Sequence, residues 1–420
     1  MAQNARVPRI VELARIIADT TEKLNDTLSS QNIPTPSFDA EYTKFPENAI
    51  GDQETILNAT SELYDLLLDP LSALFQYGSH NNMVSLQMVS RYKIANLVPT
   101  SGSVSYDELS ERSHVSKDVL QRLLRHAMTR HIFREPEPGR VSHTASSRVL
   151  VQQHMNDWMS VGSEVMWPAA VKMLDAAEKW PYSAEPHETA FSLANGGTGS
   201  AYEVIGADPV LAARFASAMK AYTSSPGFDV AHVIDNYDWA ALGSALVVDV
   251  GGARGHVAMA LAEKFEGLRF LVQDMAQVVA GAEEEVAEEV RGRIAFEAHD
   301  LFVPQTVEAD VFYLRWILHN WSDKYCVMIL QALVPVLKPG GRVLIQDTLM
   351  PEPGGMASWK EMDLRSTDLN MWAVFNARER TVVEWTDLLK KADSRFEVHD
   401  IFLPVGSALA LIDVRWNCAP

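Results

Sequence analysis

The amino-acid sequence predicts an α/β fold in which a helical N-terminal region precedes a domain built on a mostly parallel β-sheet. From about residue 240, short apolar runs alternate with helical stretches, which is typical of parallel strands joined by helices on both faces of a sheet. Residues 1–100 instead carry apolar residues at helical spacing. A chain of 420 residues also exceeds one average domain. We therefore expect two domains, residues 1–150 and residues 151–420.

Composition and charge narrow the class of protein. Apolar residues make up 47% of the chain, which is ample for a core, yet no uncharged apolar run is long enough to span a bilayer. The N-terminus has the pattern of an amphipathic helix and not that of a signal peptide. The two cysteines, Cys326 and Cys418, offer neither a disulfide framework nor a CxxC metal motif. A net charge of −19 argues against binding to a phosphate backbone, so we expect a cytoplasmic protein that binds neither membrane nor nucleic acid.

Residues 103–148 follow the helix–helix–hairpin order of a winged helix. SYDELSERS predicts a short helix capped by Ser105, VSKDVLQRLLRHAMTRH predicts a second helix, and the proline- and glycine-containing stretch after it predicts a hairpin. The second helix carries Arg122, Arg125 and Arg130, so DNA binding by a ligand-sensing regulator is one alternative. Winged helices also serve as dimerisation modules, and the acidic chain favours that role.

The segment between the two regions is rich in methionine and tryptophan. HMNDWMSVGSEVMWPAAVKMLDAAEKW predicts core helices, although some of these side chains could line a pocket for a flat apolar ligand. ANGGTGSAYEVIGADP is predicted to be a loop, and LAARFASAMKAYTSS is predicted to be a helix.

Seven strands are predicted in the second half of the chain. The first five are ALVVDV, RFLVQDM, RIAFEAHDLF, ADVFYLRWIL and GRVLIQDTLM, and helical stretches separate most of them. FEVHDIFLPVGSALALIDVRW closes the chain as two strands around a turn at Gly406. Because strands joined by a short turn pair as a hairpin, we expect the last strand to run antiparallel to the others.

A glycine-rich turn follows the first strand of the predicted sheet. It supplies Asp249, Gly251, Gly252 and Gly255, and glycine lets the backbone turn tightly and approach a ligand. The spacing G-G-x-x-G differs from the GxGxxG of dinucleotide-binding folds, and no Lys-Ser or Lys-Thr pair follows it as in nucleoside-triphosphate sites.

Acidic residues also end the second and third strands. Asp274 is placed to accept both hydroxyls of a ribose, and Asp300 lies where an adenine edge could reach. We assign the residues after them, Met275 and Leu301, to the same site. With Asp249, three acids at three successive strand ends suit a ligand that has a positive charge and no phosphates, which describes S-adenosylmethionine better than NAD.

The stretch FYLRWILHNWSD places a histidine where the fourth strand ends. A lone histidine is more often a hydrogen-bonded core residue or a helix cap, but the carboxyl ends of the strands are where ligands collect in such sheets. His319 titrates near neutral pH and could remove a proton from a hydroxyl that becomes a nucleophile. We therefore expect a general base here, oriented by an acidic neighbour.

Taken together, DVGGARG, LRWILHNWSD, LKPGGRVLIQD and RERTVVEW resemble the caffeic-acid-type small-molecule O-methyltransferases of plants and their fungal relatives. The resemblance covers nearly the whole chain and is strongest over residues 240–385. It implies a class I methyltransferase fold, which is Rossmann-like, with S-adenosylmethionine bound by residues 151–420. It also implies a homodimer in which residues 1–150 form a dimerisation domain that helps to close the partner's pocket.

The same resemblance implies roles for individual residues. His319 matches the catalytic base, and Asp347 and Glu379 match its two acidic partners, although the family usually has glutamate at the first of these positions. Arg315 matches a basic residue near the adenine. The predicted acceptor-binding residues are Phe215, Met219, Asn320 and Met371, of which Asn320 stands where the family often has aspartate.

The predicted reaction is in-line transfer of a methyl group from sulfonium to the oxygen of a small, apolar, hydroxylated acceptor, such as a secondary metabolite, without a metal. One alternative keeps the fold and the cofactor but catalyses dehydration or pericyclic cyclisation of polyketide-derived pyridones, as some fungal proteins that resemble this family do. There the sulfonium charge acts electrostatically and S-adenosylmethionine is not consumed. The histidine and both acids together favour methyl transfer.

Overall fold

The computed structural model describes residues 7–39, 41–76, 80–197 and 199–417, so Cys418 lies outside the described residues. The chain divides into two compact units. The first contains Met1–Pro168, Asp208–Ala221 and Pro353–Asp363, and the second contains Ala169–Ala207, Tyr222–Glu352 and Leu364–Pro420. The division into residues 1–150 and 151–420 as separate domains stays a prediction.

The N-terminal part of the chain is helical with one small sheet. Its helices are α1 (Arg9–Ser30), α2 (Glu47–Leu67), α3 (Pro70–Phe75), α4 (His80–Arg91), α5 (Ile94–Leu97), α6 (Tyr106–Ser113), α7 (Lys117–Met128), α8 (Ala145–Val149) and α9 (Gln153–Val161). Its strands are β1 (Val104–Ser105), β2 (Arg134–Glu137) and β3 (Arg140–Ser142). A π-helical turn, Gly162–Met166, follows α9.

The winged-helix prediction is confirmed by the order of these elements. Ser105 caps α6 as predicted, because its hydroxyl accepts from the backbone N–H of Glu108 while the Glu108 carboxylate accepts from the backbone N–H of Ser105. β2 and β3 pair antiparallel as the wing, and Gly139 makes the turn between them at φ +85°. The apolar faces of α6, α7 and the wing pack together through Leu109, Leu120 and their neighbours, which forms the core of this part.

Within the described residues, six further α-helices lie in the sequence between α9 and the large sheet. They are α10 (Trp167–Val171), α11 (Met173–Lys179), α12 (Ala190–Ala194), α13 (Ala201–Ala207), α14 (Pro209–Thr223) and α15 (Ala231–Asn236). The prediction of a continuous loop over ANGGTGSAYEVIGADP is wrong for α13. Ser200 and Glu203 form reciprocal hydrogen bonds that satisfy the first free N–H groups of this helix, so a capping pattern was present in the sequence.

The large sheet contains seven strands in the described part of the chain, in the order β6-β5-β4-β7-β8-β10-β9. The strands are β4 (Leu246–Val250), β5 (Arg269–Asp274), β6 (Ile294–Ala298), β7 (Val311–Arg315), β8 (Arg342–Asp347), β9 (Phe396–Phe402) and β10 (Ala410–Trp416). The helices between them are α16 (His256–Lys264), α17 (Ala276–Val279), α18 (Glu288–Arg291), α19 (Asp323–Leu333), α20 (Ser358–Phe375) and α21 (Val382–Ala392).

Pairing in this sheet confirms the predicted topology. β4, β5, β6, β7 and β8 pair in parallel, and β10 pairs antiparallel with both β8 and β9. Apolar side chains cover both faces of the central strands, with Val248 and Phe312 in one cluster and Val247 and Val311 in the other. Parallel strands buried on both faces bring their carboxyl ends to one edge of the sheet. Several of the predicted site residues lie at that edge.

Across the described residues, no helix combines the length and the apolarity needed to cross a membrane.

Candidate active site

The glycine turn after β4 is packed so closely that side chains would not fit. A Cβ atom on Gly251, which adopts φ +73°, would lie 2.3 Å from Cδ1 of Ile317. A Cβ atom on Gly252 would lie 2.5 Å from the carboxyl carbon of Asp249. The backbone N–H of Gly251 donates to the carbonyl of Gln273 at 2.7 Å, which ties the turn to the end of β5. The turn therefore needs glycine at these positions, while its close approach to a ligand stays a prediction.

The acids at the strand ends face different surroundings. Asp249 is buried under the glycine turn, and this burial raises the pKa of its carboxyl to about 7 although the positive charge of Arg315 opposes the rise. Asp274 accepts the backbone N–H of Ala253 at 2.9 Å and that of Met275 at 2.7 Å. Asp249 thus packs against Gly252 in the turn, while Asp274 ties the turn to the neighbouring strand, β5.

A cavity of about 790 Å³ opens at the carboxyl ends of β4, β5 and β6. It brings together six of the predicted site residues, namely Gly251, Asp274, Met275, Asp300, Leu301 and Asn320. Tyr202 and Trp321 also line it, with ring centroids 5.9 Å apart, and the sequence analysis did not select either. Trp321 belongs to the motif around His319, whereas Tyr202 lies on α13, the helix that was taken for a loop.

The residues that line this cavity fit S-adenosylmethionine. Among the described lining residues are three acids, Glu203, Asp274 and Asp300, and neither lysine nor arginine. Such a lining suits a ligand with a positive charge and hydroxyl groups, and it would not neutralise phosphates. The glycine turn leaves backbone groups open to the ligand on one side, and the indole of Trp321 offers a flat surface on another.

Arg315 lies at the end of β7, where its guanidinium donates to Oε1 of Gln346 at 3.2 Å and to the carbonyl of Phe228 at 2.5 Å. It also stacks on Trp316, with the guanidinium carbon 5.3 Å from the ring centroid. The cavity lining does not include it. Its predicted contact with the adenine stays a prediction.

His319 sits on a single 3-10 turn, Leu318–Asn320, directly after β7. The chain enters this turn through Trp316, which adopts φ +55°, an uncommon conformation for a bulky residue that redirects the backbone out of the strand. The Nδ1 atom of His319 lies 3.0 Å from Oε1 of Glu379, whose side chain is fully buried. Because Nδ1–H donates to this carboxylate, the Nε2 atom of the neutral ring carries the free lone pair.

The charges around His319 favour its protonated form. Burial of the imidazole opposes a positive charge, but the hydrogen bond to Glu379 and the negative charges of Asp347 and Glu379 outweigh it, while Arg380 acts in the opposite direction. The pKa of His319 is therefore raised above its ordinary value. A base with a raised pKa holds an abstracted proton more firmly.

Asp347 ends β8 beside this pair and is completely buried. Within the described residues neither of its carboxyl oxygens has a hydrogen-bond partner, and burial raises its pKa to about 7. The imidazole charge and the backbone N–H of His319 oppose that rise, the latter without reaching hydrogen-bond geometry. The structure therefore brings Asp347 close enough to act on His319 through charge, without a hydrogen bond to the ring.

The predicted acceptor-binding residues lie on three elements. Phe215 and Met219 are four residues apart on one face of α14, in the first unit, and both are half-buried. Met371 is half-buried on α20, in the second unit. Asn320 donates from Nδ2 to the carbonyl of Trp316 at 2.9 Å, so its Oδ1 atom remains available as an acceptor at the cavity.

The arginines of the winged helix bear on the DNA-binding alternative. Arg125 forms two hydrogen bonds with the Glu135 carboxylate on the wing, at 2.8 and 2.9 Å. Arg122 lies 3.8 Å from the carboxylate of Asp118. Intramolecular pairing of these charges lowers the positive potential that a phosphate backbone would meet.

The chain matches known proteins over nearly its whole length. Residues 181–395 match the family model of an O-methyltransferase domain, and residues 77–153 match that of an O-methyltransferase dimerisation domain. The O-methyltransferase PaMT of Phomopsis amygdali is 41% identical over 419 residues, which cover 99% of this chain and 98% of that protein.

Two solved structures share the fold. TnmH superposes with a TM-score of 0.71 at 28% identity and covers 83% of this chain and 99% of its own. LepI in complex with S-adenosylmethionine superposes with a TM-score of 0.72 at 21% identity and covers 96% of this chain and 99% of its own. The predicted fold class is confirmed, and the chain belongs to the O-methyltransferase family.

Proposed function

We propose that the enzyme transfers the methyl group of S-adenosylmethionine to a hydroxyl of a small, apolar acceptor and that His319 is the general base. The contact between Nδ1 of His319 and Oε1 of Glu379, at 3.0 Å, carries this proposal. The residues on either side of His319, namely Ile317, Asn320 and Trp321, line the cofactor cavity. A base at this place would stand next to the methyl donor, as in-line transfer requires.

The path of the proton follows from the tautomer. Nδ1–H donates to Glu379, so Nε2 can accept the proton of the acceptor hydroxyl as its oxygen attacks. When bound, S-adenosylmethionine supplies an electrophilic methyl group whose bond to sulfur breaks as the bond to oxygen forms. Glu379 and Asp347 then stabilise the imidazolium, since both carboxyl groups raise the pKa of His319.

The cofactor-binding residues take roles that match their positions in the cavity. Asp274 would accept the ribose hydroxyls while keeping its two backbone hydrogen bonds. Asp300 and Leu301 would lie at the adenine, and Met275 and Gly251 would bound the ribose and the methionine portion. Asp249, Gly252 and Gly255 would act by shaping the turn that this ligand contacts. Arg315 would lie near the adenine, and its positive charge lowers the pKa of the buried Asp249 carboxyl.

The acceptor class rests on the side chains assigned to it. Methionine and aromatic side chains adapt to flat apolar ligands, and Phe215, Met219 and Met371 supply them. Asn320 would accept a hydrogen bond from a polar group of the acceptor through Oδ1. We therefore propose a hydroxylated secondary metabolite, modified in the cytoplasm.

The test follows the fate of the cofactor. The wild-type enzyme is incubated with S-adenosylmethionine and a panel of phenols, naphthols and hydroxyanthraquinones, and formation of S-adenosylhomocysteine and of methylated product is followed by mass spectrometry. His319→Ala should bind S-adenosylmethionine with unchanged affinity and lose activity by roughly 10²–10⁴-fold. Unchanged turnover in that variant would remove the base assignment. A rearranged or dehydrated product with the cofactor intact would indicate the pericyclase-like alternative.

The quaternary structure extends the proposal. The residues directly before the dimerisation domain expose large apolar side chains, which we call the α2–α3 ridge: Tyr64, Leu66, Leu67, Leu71, Leu74 and Phe75. Exposed apolar side chains that lie this densely in one stretch of sequence are typical of a surface that a partner covers. We propose that the ridge extends the homodimer interface begun by residues 77–153 and that the N-terminal domain helps to close the partner's pocket.

A further inference from the structure

We propose that Arg380 is a positioning residue for methyl transfer. Its buried guanidinium holds the turn that carries His319 in place, both against Glu379 and against the strand that carries Asp347. The inference rests on the proposed role of His319 as the base. Arg380 was not among the residues selected from the sequence. It is 1% exposed, although arginine is among the residues least often buried.

The guanidinium contacts both ends of the turn. Nη1 donates to the carbonyl of Leu318 at 3.2 Å, and Nη2 donates to the carbonyl of Trp321 at 3.0 Å. His319 and Asn320 lie between these two carbonyls. A single 3-10 turn has few internal hydrogen bonds, so its position depends on such outside contacts.

Other contacts fix the guanidinium itself. Nε and Nη2 donate to Oδ1 of Asp323, the first residue of α19, at 3.0 and 2.8 Å. The guanidinium carbon lies 5.2 Å from the ring centroid of Trp385 on α21. The planar group thus reaches two carbonyls and a carboxylate at once, a geometry that a lysine ammonium cannot reproduce.

The backbone of Arg380 also links the segments that carry Glu379 and Asp347. Glu379 is its neighbour in the chain, and the carbonyl of Arg380 accepts the backbone N–H of Met350 at 2.9 Å. An isolated parallel bridge pairs Arg380 with Leu349, two residues after Asp347. One residue therefore connects the segments that carry His319, Glu379 and Asp347.

The charge of Arg380 also acts on the imidazole. It opposes the effect of Glu379 and Asp347 and lowers the pKa of His319. Further charged or titratable groups stand behind these residues, since Asp368 accepts the backbone N–H of Glu379 at 2.8 Å and the Cys326 thiol lies 3.4 Å from Nη2. Loss of the guanidinium should therefore displace the turn, and because the hydrogen bond to Glu379 outweighs the charge of Arg380, the pKa of His319 should fall.

The experiment uses the full-length enzyme with Arg380→Met, which removes shape and charge, and Arg380→Lys, which keeps the charge. Arg378→Met is the matched control, because Arg378 lies two residues away but is half-exposed and pairs with Glu384 at the surface. Three quantities are measured: affinity for S-adenosylmethionine, kcat with the acceptor that the wild-type enzyme turns over, and the titration of His319 by NMR of ¹⁵N-histidine-labelled protein, assigned with His319→Gln.

We expect Arg380→Met to lower kcat by about 10²-fold, to change cofactor affinity less than about threefold and to move the His319 titration to lower pH, because the displaced ring loses its contact with Glu379. Arg380→Lys should also move the titration to lower pH and keep kcat at least about tenfold low, since its ammonium keeps the charge but cannot hold the turn. Arg378→Met should match the wild type in all three. If Arg380→Met does not fold, Arg380→Lys decides, and wild-type kcat in that variant overturns the proposal.

The outcomes distinguish the positioning role of Arg380 from the proposed role of His319 as the base. An unmoved His319 titration with normal kcat in folded Arg380→Met overturns the positioning role. A shifted titration with normal kcat overturns instead the role of His319 as the base, because the environment of the ring would then have changed without effect on turnover.

Discussion

Nδ1 of His319 lies 3.0 Å from Oε1 of Glu379, although sixty residues separate them in the chain. Glu379 is fully buried, and its other oxygen, Oε2, has no hydrogen-bond partner within the described residues. A buried carboxylate with one bonded oxygen holds its partner strongly, since no competing donor replaces the imidazole. This contact fixes the ring tautomer, and the carboxylate charge raises the pKa of His319.

Glu379→Gln should lower kcat by about 10²–10³-fold and move the rise of kcat/KM with pH to lower pH. The base must be neutral to act, so kcat/KM rises as pH passes the pKa of His319, and Glu379 raises that pKa. Removing the negative charge lowers the pKa and shifts the rise toward acid. A pH–rate profile measures this, with Glu308→Gln, a surface residue, as the control. A rise that moves to higher pH would contradict the assignment.

Asp347→Asn should stabilise the enzyme at pH 8 relative to the wild type and leave its stability near pH 4 almost unchanged. The pKa of Asp347 is raised to about 7 in the folded chain, above its value in the unfolded chain. The folded state therefore binds the proton more tightly, and the wild type loses stability as pH rises from about 4 to about 7. We expect a difference of about 1–3 kcal/mol at pH 8, because the amide removes the buried charge but still lacks partners.

Thermal unfolding of both proteins at pH 4 and pH 8 provides the measurement for Asp347→Asn. A gain of equal size at both values would show that the buried charge is not its cause. Activity is expected to fall in the same variant, since the imidazolium loses one of its two negative neighbours.

The sequence predicts this site unevenly, and the reasons are physical. The glycine turn, Asp274 and the place of His319 follow from strand periodicity, because parallel strands align their carboxyl ends at one edge. The contact of Glu379 with His319 came only from a family pattern, since no local rule joins residues so far apart. The lack of hydrogen bonds to the Asp347 carboxyl depends on side-chain distances in a buried space, which no sequence pattern specifies. Arg380 resembles any surface arginine until its burial is known.

Gly252→Ala should weaken binding of S-adenosylmethionine by at least about 100-fold while the protein stays folded. The added Cβ would lie 2.5 Å from the Asp249 carboxyl carbon, so the turn must move, and the ligand-facing backbone moves with it. Gly292→Ala is the matched control, because no atom lies within 4 Å of its Cβ position. Isothermal titration with S-adenosylmethionine measures both. Equal affinities in the two variants would show that the turn does not contact the cofactor.

The α2–α3 ridge predicts a change in oligomeric state. Leu71 and Leu74 on α3 are 59% and 68% exposed, and a second copy of the chain would bury them. Leu71→Glu with Leu74→Glu places two charges in that contact, which should raise the dimer dissociation constant by at least about 100-fold and yield monomers at micromolar concentration. Val405→Glu is the control, since Val405 is 99% exposed on the β9–β10 turn. Light scattering after size exclusion measures the mass of each. A double variant that remains dimeric would show that the ridge is not part of the dimer interface. A monomer with reduced methyl transfer would support a pocket that the partner helps to close.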